Sequence, residues 1–144
     1  MTYFPDLSPY SYDGNEKDTV NIGWLHYDHP IQRGDTPSEF QERLKTFCQK
    51  AGYYNLMHGY HECEFCGKES GNGEIRIFTK PKIYAAPVMV YHYVKVHDYQ
   101  PPEEFIQAVL QSPLPDHNQY VEYLQQTDRA LMEYLKNLLG DLQK

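Results

Sequence analysis

Long apolar runs are missing from this sequence: none approaches the roughly 18 residues that a membrane-spanning helix needs. Basic residues are scarce as well. Thirteen Lys and Arg stand against twenty Asp and Glu, a formal net charge of −7, and no basic run exceeds two residues. A chain of this sign has little of the electrostatic footprint that grips nucleic acids or acidic membranes. The N-terminus, MTYFPDLSPYSYDG, has no basic stretch leading into an apolar core and does not read as a signal peptide, so the expected compartment is the cytoplasm. Cysteine is limited to three residues, which in a reducing compartment argues against a disulfide framework.

Tyrosine, by contrast, is abundant: 14 of the 144 residues, against 6 Phe and 1 Trp. Its ring is apolar and its tip polar, which suits half-exposed surfaces and interfaces; the plainer alternative is that Tyr stands in for Phe at the periphery of a small core. A chain of this length buries about two thirds of the surface its unfolded form exposes. It needs neither a metal nor a disulfide merely to fold.

Residues 1–18 combine Pro5, Pro9 and aromatics and read as an irregular arm ending in the turn DGNEKD. TVNIGWL, residues 19–25, alternates Val20, Ile22 and Trp24 with Asn21 and Gly23, the pattern of a half-buried strand. In DTPSEFQERLKTFCQKAG, Thr36 is a candidate cap, Pro37 suits the first helical position, and Gly52 suits the end. Phe40, Leu44, Phe47, Cys48 and Ala51 recur at three and four, predicting a helix over about 37–51 and placing Cys48 in the core as a small hydrophobe. EIRIFT and residues 83–86 flank a short turn and predict a β-hairpin. The segment 87–99 carries β-branched residues, but Pro87 and the spacing of Val90, Tyr93, Val94 and His97 predict a helix. PPEEFIQAVLQS predicts a second short helix. A third is expected near the C-terminus, with Tyr120, Leu124, Leu131, Leu135 and Leu138 on one stripe ending at Gly140.

The chemistry concentrates in GYHECEFCGKESGNGEIRI, residues 59–77. Cys63 and Cys66 form a Cys-x-x-Cys pair, which can share one tetrahedral ion and leave two ligands to be supplied elsewhere. His92 and His97 follow at an H-x4-H spacing, 25 residues beyond Cys66. The hairpin fits in that interval, so knuckle, hairpin and helix trace the outline of a treble-clef zinc site. His61, two residues before Cys63, is the alternative fourth ligand. Redox use of the pair would require a helix start directly after a strand, where the helix dipole lowers a thiol pKa; Gly67, Gly71 and Gly73 break such a helix at once.

A catalytic zinc keeps one position open and has a carboxylate close by, for which Glu62, Glu64 and Glu74 are candidates. No H-E-x-x-H, H-x-E or G-x-S-x-G motif is present, which favours a closed, structural site. Treble-clef nucleases share the outline, but their substrate calls for clustered Arg and Lys. His26 and His29 flank Asp28 in LHYDHP and read either as solvated loop residues or as a second, weak metal or acid–base site.

YFPDLSPYSY, VNIGWL, YHECEFC, GNGEIRI, YAAPVMVYHYVKVH and YQPPEEFIQAVL, in that order over residues 3–110, resemble a family of short bacterial proteins of unknown function. The resemblance implies a bacterial cytosolic domain and supplies no reaction.

The expected architecture is one α+β domain over residues 1–144, with a small antiparallel sheet, a zinc knuckle and hairpin over about 58–98, and a helical part over 101–140. The expected cofactor is Zn2+ on Cys63, Cys66, His92 and His97. The expected partner is another protein, met through the Tyr-rich surface, with homo-oligomers left open and neither membrane nor nucleic acid involved. The alternative is a zinc-dependent hydrolase with Cys63, Cys66 and His92 as ligands and a nearby Glu as base.

Overall fold

The computed structural model describes residues 3–10, 19–50, 61–79 and 82–115. Its elements run β1 (Thr19–Asn21), α1 (Ser38–Lys50), β2 (His61–Glu62), β3 (Ser70–Gly71), β4 (Glu74–Phe78), β5 (Ile83–Pro87), α2 (Val90–His97) and α3 (Glu103–Gln111). The C-terminal helix expected around Leu124–Leu138 lies outside the described residues, as do the DGNEKD turn and Gly52. The fold class is α+β, with three helices and a three-stranded sheet among the described residues.

The β4–β5 hairpin is antiparallel, from Glu74 opposite Pro87 to Phe78 opposite Ile83. The sheet as a whole is mixed, because β1 joins the far side of β5 in parallel, Thr19 opposite Ile83 and Asn21 opposite Ala85. Parallel pairing needs a long crossover, and here α1 and the knuckle lie in the connection.

β1 is shorter than the alternation suggests. Gly23 has φ +76°, a left-handed turn that stops the strand, and a Cβ there would stand 2.7 Å from Val90 Cγ2. Both sides of this segment are buried, Asn21 and Ile22 alike. The second cover is the N-terminal arm, which runs antiparallel along β1: Leu7 N–H donates to Asn21 O at 2.7 Å and Tyr10 N–H to Thr19 O at 2.9 Å. Asn21 is tolerated in the interior because its Nδ2 donates to Ser8 Oγ and Pro9 O, both at 3.2 Å. The arm expected to pack on the body is thus laid along the sheet's edge, where it covers backbone groups that an edge strand otherwise exposes.

α1 buries Phe40, Leu44 and Phe47 against α2, α3 and β4. Phe105 of α3 meets Phe40 edge-on at 6.1 Å between centroids and Tyr84 of β5 at 5.7 Å. Arg43 of α1 stitches the end of α3: its Nε donates to Val109 O at 2.7 Å and its Nη2 to Ser112 O. Those carbonyls belong to a helix terminus and have no intrahelical donor. Cys48 packs partly buried against this core, and burial pushes its thiol up to about 12.

The segment 87–99 divides between the two signals it carries. Pro87 ends β5 instead of opening the helix, at a position past the last β1 partner, Ala85, where a missing N–H interrupts no β1–β5 pairing. The helix then covers Val90–His97 and closes on Asp98, whose φ of 56° is left-handed. No helix among the described residues is long and apolar enough to cross a membrane.

Candidate metal centre

The knuckle is built by a two-residue ladder and one permissive glycine. β2 and β3 pair antiparallel, His61 opposite Gly71 and Glu62 opposite Ser70. Between them Cys63 N–H donates to Glu69 O at 2.8 Å, and Cys63 O accepts from Gly67 N–H at 2.7 Å. Gly67 takes φ +67° in open space, so the backbone conformation alone calls for glycine there. The turn brings Lys68 N–H to 3.4 Å from Cys66 Sγ, a donor placed to stabilise charge on that sulfur.

α2 lies alongside the knuckle and carries two imidazoles to it. Cys63 Sγ is 3.4 Å from His97 Nε2, and Cys66 Sγ is 3.3 Å from His92 Nε2. The ligand atoms of Cys63, Cys66, His92 and His97 all lie within 4.8 Å of one another. A tetrahedral ion with Zn–S of about 2.3 Å and Zn–N of about 2.0 Å sets sulfur and nitrogen about 3.5 Å apart. The two short sulfur–nitrogen distances fall close to that edge length.

Cys63 is buried, whereas Cys66, His92 and His97 are half-buried. Burial pushes the Cys63 thiol up, and the neighbouring Cys66 adds to this while backbone N–H groups oppose it. Burial also pushes both imidazoles down, against Glu69 for His92, and with help from His92 and Arg33 for His97. The histidines are therefore held toward the neutral form that ligates a metal. Phe65, inside the Cys-x-x-Cys turn, covers one side: its ring centroid is 5.3 Å from that of His97 and 5.9 Å from that of Tyr93. A soft-and-borderline S2N2 donor set of this kind suits zinc among the common divalent ions.

His61 sits in β2, and its side chain lies outside the described residues. Glu74, one of the candidate bases, is buried on β4, where Tyr10 donates to its Oε1 at 3.1 Å and Arg76 stands 3.7 Å from its Oε2. It is thereby committed to the sheet's own polar cluster. Glu62 and Glu64 are exposed.

His26 and Asp28 do not make a second cluster of three or more convergent ligands among the described residues. Asp28 N–H donates to His26 Nδ1 at 3.1 Å, and His26 Nε2 faces Glu64 Oε1 at 3.4 Å. His29 stacks on Tyr3 at 3.7 Å between centroids. This link between residue 26 and the knuckle had no sequence signal, because nothing in LHYDHP points to Glu64 in particular.

The fold and the convergent Cys2His2 cluster define an α+β domain with a site able to hold one metal ion. A family model described as a domain of unknown function, DUF7919, matches residues 2–110, and the chain belongs to that family. No curated protein and no solved structure matches it.

Proposed function

We propose that this protein is a zinc-binding module of the bacterial cytoplasm in which Cys63, Cys66, His92 and His97 hold one structural Zn2+, and that it works by binding another protein. The observation that carries the reading is the approach of four ligand atoms, from two separate elements, to within 4.8 Å of one another. Two thiol–imidazole hydrogen bonds would account for two short distances. They give no reason for both pairs to meet at one point, whereas a tetrahedral ion does.

Four protein ligands favour the structural role over the hydrolase, since catalysis needs a position left for water. Bound there, the ion ties the knuckle to α2. The exposed Tyr27 and the half-exposed Tyr3, beside His26 and His29, supply an aromatic surface next to the site, the chemistry that suits a protein partner.

The test is metal content by elemental analysis of untagged protein, paired with a thermal melt before and after chelation. One zinc per chain and a large loss of stability on removal are expected. Protein purified without zinc that neither takes it up nor gains stability from it would sink the proposal.

A further inference from the structure

Of the four candidate ligands, His97 is the least secured by its own element. It is the last residue of α2, and the final carbonyls of a helix have no intrahelical donors. Helix ends fray, so a ligand there loses its aim unless something outside the helix holds the terminus.

Residues 26–34 supply that hold from both sides. Arg33 Nη1 donates to His97 O at 2.6 Å. Gly34 N–H donates to Asp98 O at 2.9 Å, and Gln100 N–H returns to Gln32 O at 2.8 Å, so that Arg33 and Tyr99 form an isolated antiparallel bridge. At the other end of the same segment, His26 Nε2 faces Glu64 Oε1 and Tyr27 N–H donates to Glu64 Oε2, each at 3.4 Å. Glu64 stands between Cys63 and Cys66. One stretch of chain therefore touches the sulfur-bearing turn and the nitrogen-bearing helix end, without contributing a ligand of its own.

We infer that residues 26–34 form a strap that aligns the two halves of the metal centre, with Arg33 as the positioning residue for His97. The inference rests on the metal-binding reading above. Arg33 is suited to this: its fork directs a short, charge-assisted hydrogen bond onto one carbonyl, and the positive charge complements the negative end of the helix dipole. Its effect passes through the backbone of His97. The distinguishing consequence is thus a change in the metal's coordination at unchanged overall fold.

The experiment compares wild type, Arg33→Ala and Arg33→Lys for zinc affinity, by competition with a chromophoric chelator, and for the visible spectrum of the Co2+-loaded protein. Outer partners of metal ligands are worth about 10- to 100-fold in affinity. Arg33→Ala is expected to bind zinc weaker by that factor, with Co2+ bands reduced in intensity as His97 yields its place to water. Arg33→Lys, which keeps a cationic donor, recovers much of both. An Arg33→Ala protein with affinity within twofold of wild type and the same Co2+ spectrum overturns the inference while leaving the metal site standing. A lysine variant as weak as the alanine variant, with both melting lower even when fully loaded, also overturns it, since the loss is then one of general stability. Failure of the wild type to load either ion removes the metal reading itself.

Discussion

The Tyr99 hydroxyl donates to Asp6 Oδ2 at 2.6 Å, across 93 positions of sequence. The same carboxylate accepts Gly23 N–H on Oδ1 at 3.0 Å. One aspartate thus pins the N-terminal arm to the turn that ends β1 and to the segment that follows α2. Tyr99 is almost wholly buried, and the Asp6 carboxylate is the acceptor its hydroxyl finds there.

Tyr99→Phe should cost about 1.5 to 3 kcal/mol, the range for a hydrogen bond to a charged group. Urea unfolding followed by the fluorescence of Trp24 reads this directly. Trp24 is the sole tryptophan and is buried, with its Nε1 donating to Ala85 O at 3.0 Å. A midpoint equal to that of the wild type would mean that the arm is held by its other contacts alone.

Alkaline pH should also destabilise the protein, through the same residue. Burial first, then Asp6, push the Tyr99 phenol well above its ordinary value, and burial does the same for Tyr93. A folded pKa raised above the unfolded one contributes stability that is complete below about pH 10 and is lost as pH climbs past it, because the unfolded chain releases the proton first. Stability measured between pH 8 and 11 should therefore fall from about pH 10, and fall less steeply in Tyr99→Phe. Parallel slopes in the two proteins would exclude Tyr99 as a source.

The three cysteines should separate by reactivity. Burial raises the Cys48 thiol to about 12, which leaves almost no thiolate at pH 8. A thiol reagent should spare Cys48 until the protein unfolds, whereas Cys63 and Cys66 should become reactive when zinc is chelated. Labelling of Cys48 at the same rate as Cys66 in native protein would contradict its packing against the core. Cys48→Ala should keep the metal and cost about 1 to 2 kcal/mol as a core truncation.

Cys63→Ser should lose zinc and melt at lower temperature, since the buried sulfur is one of two that the turn supplies. Elemental analysis and a thermal melt of that variant give the answer together. Unchanged zinc content and melting temperature would remove Cys63 from the site.

Gly23→Ala should cost about 2 to 4 kcal/mol, combining the strain of a left-handed alanine with overpacking against Val90. A Cβ at Gly23 would stand 2.7 Å from Val90 Cγ2, on the first residue of α2. If urea unfolding shows no loss, α2 is free to shift, and it then cannot be holding His92 and His97 in a fixed place.

Local pattern was enough for much of this molecule, because period and punctuation are local properties. Phe40, Leu44 and Phe47 recur on one helical face and are buried in α1; EIRIF and IYAAP form the antiparallel hairpin. The pairing of Cys63 with Cys66 was equally plain, since two thiols three apart share one turn. What chain order could not express was any relation across it. Nothing in TVN indicates that β1 pairs in parallel with β5, or that the arm covers its other side and so buries Asn21. His92 and His97 are about 140° apart around an ideal helix and about 7.5 Å along it, so spacing by itself aims them at no common point. Only the packing of α2 beside the knuckle, with residues 26–34 bridging Glu64 and the end of the helix, brings the two imidazoles to the two sulfurs, because a binding site is set by where elements dock in space and not by their distance along the chain.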